Sequence, residues 1–407
     1  MPGFSSYAPE FRIRINGEQL PLALRAAISS ITYQDGIEGA DRVEVSVANP
    51  NLRWLDHPVL AVDNGFSLSI GYAPAVPEEV FVGEITGVEP SFPSSGMPTI
   101  KITAQDFLQR LTKGEKDRAF RISIPTVGNF PLPDVAIASI VSATNLLIPY
   151  PDPIGGALSV LMTLATYINS PQEAQKHVPR QNSQSDFDFL KELARRNGWE
   201  MYIDHTLEPH GRILRFQFLM QDYAPSVSLK WGSSLMEFTP RLTTVGDIFG
   251  VTARVWVATL KMEFVISVSW DYDRACFNLM IFPSLIGDVN KFLGPAAAKG
   301  KTVSVKTTSL AKSLPQILST LLPRLNNRLK GTGSTIGDPR IKAGRVIDLK
   351  GLGDQFSGLY RITSATHTLD SGGYRTNFEV RKEVWFGSIP VPKSAAGLVK
   401  VQGERVA

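Results

Sequence analysis

The sequence predicts a mainly β protein of the α+β class, with two β-rich domains around a mixed α/β middle domain, and three observations carry that prediction. Short runs of alternating apolar and polar residues fill both ends of the chain, as strands with one buried face require. Segments rich in Gly, Pro and Ser separate those runs, notably 71–79 (GYAPAVPEE) and 90–98 (PSFPSSGMP), which is the punctuation of antiparallel sheet. Between 116 and 225 the alternation gives way to proline clusters, one apolar stretch and one helix with matching start and stop signals. At 407 residues the chain exceeds one ordinary core, and 43% hydrophobic with 20% charged residues is the composition of a globular protein.

Taken in order, residues 1–115 form the first β-rich domain, a barrel or a sandwich. Phe11, Ile13 and Ile15 share a face, as do Val43, Val45 and Val47, then Phe66, Leu68 and Ile70, then Ile100 and Ile102. A short amphipathic helix is expected over Gln105–Leu111. The middle domain, 116–225, contains the apolar run Gly155–Ile168, which is shorter than the roughly 20 residues that cross a bilayer and reads as a buried or interfacial helix. Its best-signalled element is the helix after Ser185. That serine caps it with Asp188 three residues on, Arg195 and Arg196 lie in the last turn, and Gly198 stands at the C-terminal cap. Phe187, Leu190 and Ala194 share a face with Leu193 beside them, and Trp199, Met201 and Ile203 alternate in a following strand.

Alternation returns over 226–383, the second β-rich domain: Val227, Leu229 and Trp231; Val251, Ala253, Val255 and Val257; Phe264, Ile266, Val268 and Trp270. A leucine-rich segment, Ser309–Leu329, interrupts it, with Leu318, Leu321, Leu322, Leu325 and Leu329 at helical spacing. Pro315 suits a helix start and Pro323 should kink or divide the helix. Residues 384–407 read as an extended tail. The two β-rich parts also echo one another. Phe81-x-Gly83 with Ile85, then Gly96-x-x-Thr99, matches Phe356-x-Gly358 with Tyr360, then Gly373-x-x-Thr376, although the later alternation is out of phase by one residue.

Two segments carry a family resemblance. In 171–204 a glutamine-rich lead precedes Ser185-Asp186-Phe187-Asp188-Phe189-Leu190-Lys191-x-Leu193-Ala194 and Asn197-Gly198-Trp199-Glu200. In 337–383 the matching elements are Gly337, Pro339, Ile341, Ala343-Gly344, Phe356-Ser357-Gly358, Tyr360, His367 and Gly373-Tyr374-x-Thr376. With the β-rich N-terminal half, the chain over 10–383 resembles the phage late control D family and the hub half of valine-glycine repeat spike proteins. The resemblance implies a homotrimeric baseplate hub of a contractile phage tail or injection system. Each subunit would bring two tail-tube-like β-barrel domains, so that three copies close a ring of six and adapt a six-fold inner tube to a three-fold spike. It implies a separate spike protein, the inner tube protein and other baseplate components as partners, synthesis in the bacterial cytoplasm, and assembly into a virion or injection particle. Phe81, Gly83, Asp186, Phe187, Phe189, Leu190, Gly198, Phe356, Gly358, Tyr360, Gly373 and Tyr374 are the structural and assembly candidates.

Chemical alternatives fare worse. Cys276 is the single cysteine, which excludes disulfides within the chain and CxxC zinc sites and suits a reducing compartment. The opening residues lack the pattern of a secretory signal. Net charge is +4 with no long basic run, so no specific nucleic-acid site is expected. Gly294 and Gly300-Lys301-Thr302 enclose one residue too many for a phosphate loop, and the following TVSVK reads as a strand. The glycines of 331–337 and 351–356 do not complete a dinucleotide motif and read as turns. The histidines at 57, 177, 205, 210 and 367 form no HExxH, so no metal is predicted, and His367 reads as a packed strand residue. Asp271 and Asp273 share a strand face without an opposing partner, unlike the carboxylates of a glycosidase. No cofactor and no catalytic residue are assigned, and the chain is read as not an enzyme. The alternative reading is a cell-wall or carbohydrate-binding β module of a tail particle.

Overall fold

The computed structural model describes residues 8–124, 128–169, 178–218, 223–243, 250–257, 262–271, 276–283, 302–306, 310–383 and 386. Asp273, His177, the 294–301 segment and the tail after Glu383, apart from Phe386, lie outside the described residues.

The first 105 residues supply β1 (Ala8–Ile15), β2 (Glu18–Gln19), β3 (Ile28–Gly36), β4 (Arg42–Ala48), β5 (Gly65–Ala73), β6 (Glu78–Ser91) and β7 (Thr99–Gln105). The alternation seen in sequence is a burial pattern. Ile13, Ile15, Val43, Val45, Val47, Phe66, Leu68, Ile70, Ile100 and Ile102 all join one buried cluster, while most of their neighbours along each strand, Gly71 and Thr103 excepted, are more exposed. The helix expected over Gln105–Leu111 is instead a 3-10 turn, Phe107–Thr112. Gln105 still belongs to β7, and Asp106 caps the turn by accepting from the Leu108 N–H at 3.0 Å.

The middle of the chain contributes β8 (Lys116–Ala119), β9 (Arg121–Ile124), β10 (Gly128–Pro131), β11 (Ile148–Pro151), β12 (Arg180–Gln184), β13 (Glu200–Asp204) and β14 (Ile213–Gln217), with helices Asp134–Thr144, Pro153–Asn169 and Asp186–Asn197. The mixed sheet β11-β14-β13 and these helices enclose a core that includes Phe120, Val141, Phe189, Leu190, Leu193, Trp199 and Phe216. In Asp186–Asn197 the cap signals hold as read. The Ser185 hydroxyl accepts from the Asp188 N–H at 3.0 Å, and Gly198 takes φ 70°. The buried stripe differs by one position, because Phe189 is 3% exposed and Phe187 only half-buried. Gly198→Ala is expected to cost about 1–2 kcal/mol, since an L side chain is strained at that φ and the new Cβ would stand 3.2 Å from Ser319 Cα; thermal melting of the variant checks it. The apolar helix Pro153–Asn169 is not buried as a whole: Ile154, Leu161 and Ile168 are 52, 58 and 68% exposed. Among the described residues no helix is long and apolar enough to cross a membrane.

The remainder forms β15 (Pro225–Lys230), β16 (Leu235–Leu242), β17 (Gly250–Val257), β18 (Met262–Asp271), β19 (Cys276–Pro283), β20 (Thr302–Lys306), β21 (Leu329–Ile336), β22 (Val346–Lys350), β23 (Gly358–Asp370) and β24 (Gly373–Arg381). Strands β19-β18-β17-β20 make a separate four-stranded sheet, and TVSVK is its strand β20. A single helix, Leu310–Asn326, packs on that sheet and runs through both Pro315 and Pro323, so neither proline starts or divides it. Burial of Ile317, Leu321, Leu322 and Leu325 offsets the hydrogen bonds that the prolines forgo. Leu329 falls outside the helix and opens β21. Trp231 also departs from its predicted face: Val227 and Leu229 are buried, whereas Trp231 lies past β15 and is 59% exposed.

The two ends of the chain meet in one 13-stranded sheet. Its first half runs β3-β4-β7-β6-β5-β1 and its second β16-β21-β24-β23-β22-β15, the same order with the strands renumbered. Bulges recur at equivalent places, between Ile28/Ser30 and Leu235/Glu237, and between Ile85/Gly87 and Ile362/Ser364. Matched through the second pair, Thr103 of β7 corresponds to Glu379 of β24, so Thr99 corresponds to Arg375 rather than Thr376, which is why the alternation after the Gly-x-x-Thr elements is out of phase in sequence. One sense differs: β1 pairs β5 antiparallel, whereas β15 pairs β22 in parallel.

Candidate functional site

The halves of the large sheet are joined edge to edge. Ser364–Leu369 of β23 pairs antiparallel with Ile31–Gly36 of β3, and the Tyr33 ring stacks on His367, 5.5 Å between centroids. His367 is fully buried, its Nδ1 2.8 Å from the Tyr374 hydroxyl and its Nε2 3.0 Å from the Ile341 carbonyl oxygen. The strand positions equivalent to these two edges are the end of β6 and the outer side of β16. Among the described residues neither has a strand partner there. An unpaired run of N–H and C=O groups is a template for another strand.

The hairpin candidates build this frame. Phe81 is buried, edge-on to Tyr33 and Phe66. Gly83 lies where β6 crosses close to Gln105. In the second half Phe356 is half-buried, the buried Tyr360 donates its hydroxyl to the Phe356 carbonyl at 2.7 Å, Gly358 opens β23, and Gly373 and Tyr374 open β24. The helix candidates serve the middle core. Phe189 stacks on Phe120 at 5.3 Å, Leu190 is buried beside it, and Lys191 lies over the Phe187 ring at 5.5 Å. Asp186, 1% exposed, accepts from Lys116 at 2.5 Å, Asn145 at 2.8 Å, Gln181 at 3.0 Å and Arg118. Burial alone would raise its pKa, but those donors and the Arg118 charge win and hold the carboxyl at about 2. Phe81 and Tyr374 thus share one buried cluster, the helix candidates serve the middle core, and of these Phe187 and Gly198 line one cavity.

A second buried ionic cluster ties β23 and β24 to the middle domain. Glu200 on β13 receives Arg361 and Arg381, each at 2.6 Å, and Arg381 also bonds Glu383 at 2.7 Å. Sequence reading missed a third cluster altogether. Asp35, Asp41, Asp106 and His205 are 8, 3, 0 and 4% exposed and converge between the first sheet half and β13. Burial, above all other causes, pushes each of the three carboxyls up to about 8 and the His205 imidazole down. Their separation along the chain hides them, and the turn chemistry around Asp35-Gly36 and the cap at Asp106 are the sole signals that sequence offers.

A family model described as the Alg8 N-terminal domain matches residues 161–371. No curated protein matches in sequence. Among solved structures, the 43 kDa tail protein of prophage MuSo2 from Shewanella oneidensis aligns over 93% of this chain and 99% of its own, with 12% identity and a TM-score of 0.58. The tail protein from Neisseria meningitidis MC58 aligns over 94% and 100%, at 11% identity and 0.58. The Escherichia coli c3393 protein, described as a type VI secretion component structurally similar to bacteriophage T4 tail proteins gp27 and gp5, aligns over 94% and 77%, at 11% and 0.52. At these identities the likeness is one of fold, and it extends over nearly the whole chain.

Proposed function

The chain belongs to the Alg8 N-terminal domain family, whose model covers over half of it, and we propose that it is the structural hub of a contractile tail or injection baseplate, a homotrimer that joins the inner tube to a spike. The observation that carries this reading is the repeated strand order with one junction made and its equivalent left open. Each half-sheet acts as a tube-like β domain, and a subunit contains two. The β23–β3 junction is the contact between adjacent units. If the same contact recurs between subunits, the end of β6 in one copy pairs with β16 of the next, and three copies close a ring of six. Trimerisation by such heterologous contacts pairs the open edges of β6 and β16.

Transferring the 364–369/31–36 register onto the open edges through the matching bulges sets Glu89 opposite Arg241, Pro90 opposite Pro240, and Phe92 opposite Phe238. The pairings are complementary. An acid meets a base, two aromatic rings meet, and two residues lacking an N–H fall on one rung, where their loss disturbs the ladder once. The inner tube, a spike protein and other baseplate components are the partners of such a ring, and the particle, a virion or an injection machine, is its place of action. The role is mechanical and no catalytic step is assigned.

Light scattering on the purified protein, alone and co-expressed with its cognate spike, tests the reading. A mass of three times 44.6 kDa is expected. Arg241→Glu or Glu89→Arg alone should weaken the trimer at least ~10-fold, and the exchanged pair in one chain should recover it. A wild-type chain that stays monomeric in both preparations would sink the hub and favour a wall- or carbohydrate-binding module.

A further inference from the structure

The chamber of Asp41, Asp106 and His205 is held in an arrangement that the ring does not require. Three segments distant in sequence build it: the turn between β3 and β4, the residue after β7, and the residue after β13. Backbone N–H groups fix each carboxylate as an acceptor. Gly36 donates to Asp41 Oδ1 at 3.0 Å, the Asp41 N–H to Asp106 Oδ2 at 3.1 Å, and the Leu108 N–H to Asp106 Oδ1 at 3.0 Å. Asp41 Oδ2 and both ring nitrogens of His205 make no hydrogen bond, although Nε2 stands 3.2 Å from Asp41 Oδ2. One donor atom from each of the three side chains lies within 4.8 Å of the other two. Lys342, the buried cation nearby, is engaged with Glu78 at 3.1 Å. A 4%-exposed imidazole with neither nitrogen satisfied, aimed at two carboxylates, is costly unless something else occupies the space between them.

We propose that this chamber binds one divalent first-row transition ion through a carboxylate oxygen of Asp41, one of Asp106, and Nε2 of His205. An imidazole nitrogen with two carboxylates suits Zn2+ or Mn2+ better than Mg2+ or Ca2+, which favour oxygen alone. Two positive charges would neutralise the two carboxylates, and a metal bond would satisfy the free Nε2 lone pair and Asp41 Oδ2. The ion would act as a clasp. Asp41 and Asp106 belong to the first β domain and His205 to the middle domain, so binding stabilises the contact between them. The inference stands apart from the hub reading and does not depend on trimerisation.

Elemental analysis and melting of the full-length protein test it. Protein stripped with a chelator and reconstituted with ZnCl2 or MnCl2 should hold close to one ion per chain and melt several degrees above the stripped form, with MgCl2 giving no comparable gain. His205→Gln and Asp106→Asn should each lower the affinity at least ~100-fold, read by Co2+ titration of the visible absorption. Stripped wild-type protein that takes up no stoichiometric ion and melts at the same temperature with every metal would overturn the proposal, and so would undiminished binding by a folded His205→Gln. Should both variants fail to fold, the wild-type comparison decides alone.

Discussion

Asp186→Ala is expected to lower stability by about 3 kcal/mol, the lower end of the range for breaking a buried ion pair. Removal of the carboxylate strands Lys116, Arg118, Asn145 and Gln181 around a hole. The cost stays at the lower end because the Lys116 and Arg118 side chains are 38 and 27% exposed and can turn to water. The same site predicts an acid-dependent term. The folded carboxyl titrates at about 2 against 3.8 for the ordinary group, so its contribution is complete above about pH 4 and is lost as pH falls from 3.8 towards 2. Urea denaturation of wild type and Asp186→Asn at neutral pH and at pH about 3 measures it. The gap between the two proteins should narrow on acidification, and a constant gap would mean that the ion pairs contribute nothing.

Gly83→Ala should be more damaging, above about 4 kcal/mol, because its Cβ would lie 2.1 Å from the Gln105 carbonyl oxygen and 2.7 Å from the carbonyl carbon. Those atoms are backbone of the neighbouring strand and cannot step aside as a flexible side chain can. The β6–β7 ladder must therefore separate locally. Gly87→Ala is the matched control, four residues along the same strand, where the new Cβ would make ordinary contact with Thr103 Cβ at 3.7 Å. That variant should stay within about 1 kcal/mol of wild type. Comparable melting of the two variants would show that the approach at Gly83 relaxes freely.

The mainly β class, strands β1, β4, β5 and β7 and the helix Asp186–Asn197 with both caps were legible because each rests on local rules, whereas β3 was missed. Alternation at period two marks a half-buried strand, and a cap is a bond between residues two or three positions apart. The failures have a common cause as well. Pro315 and Pro323 argue against one continuous helix, yet the sheet beneath Leu310–Asn326 repays the lost bonds. Gln105–Leu111 is amphipathic, but pairing keeps Gln105 in β7 and leaves room for a 3-10 turn alone. Tertiary packing overrode local preference in both.

By itself, then, the sequence determined where part of the strands run, which faces those bury, and that two parts of the chain echo one another. Only the tertiary structure decided what the echo means. Two half-sheets share one strand order and are stitched through β3 and β23, with their equivalent edges on β6 and β16 unpaired among the described residues. It alone also gathered Asp41, Asp106 and His205 into a single chamber. The physical reason is range: periodicity and capping act over a few residues, whereas strand order and the meeting of buried charges depend on contacts between segments that the chain separates by up to several hundred positions.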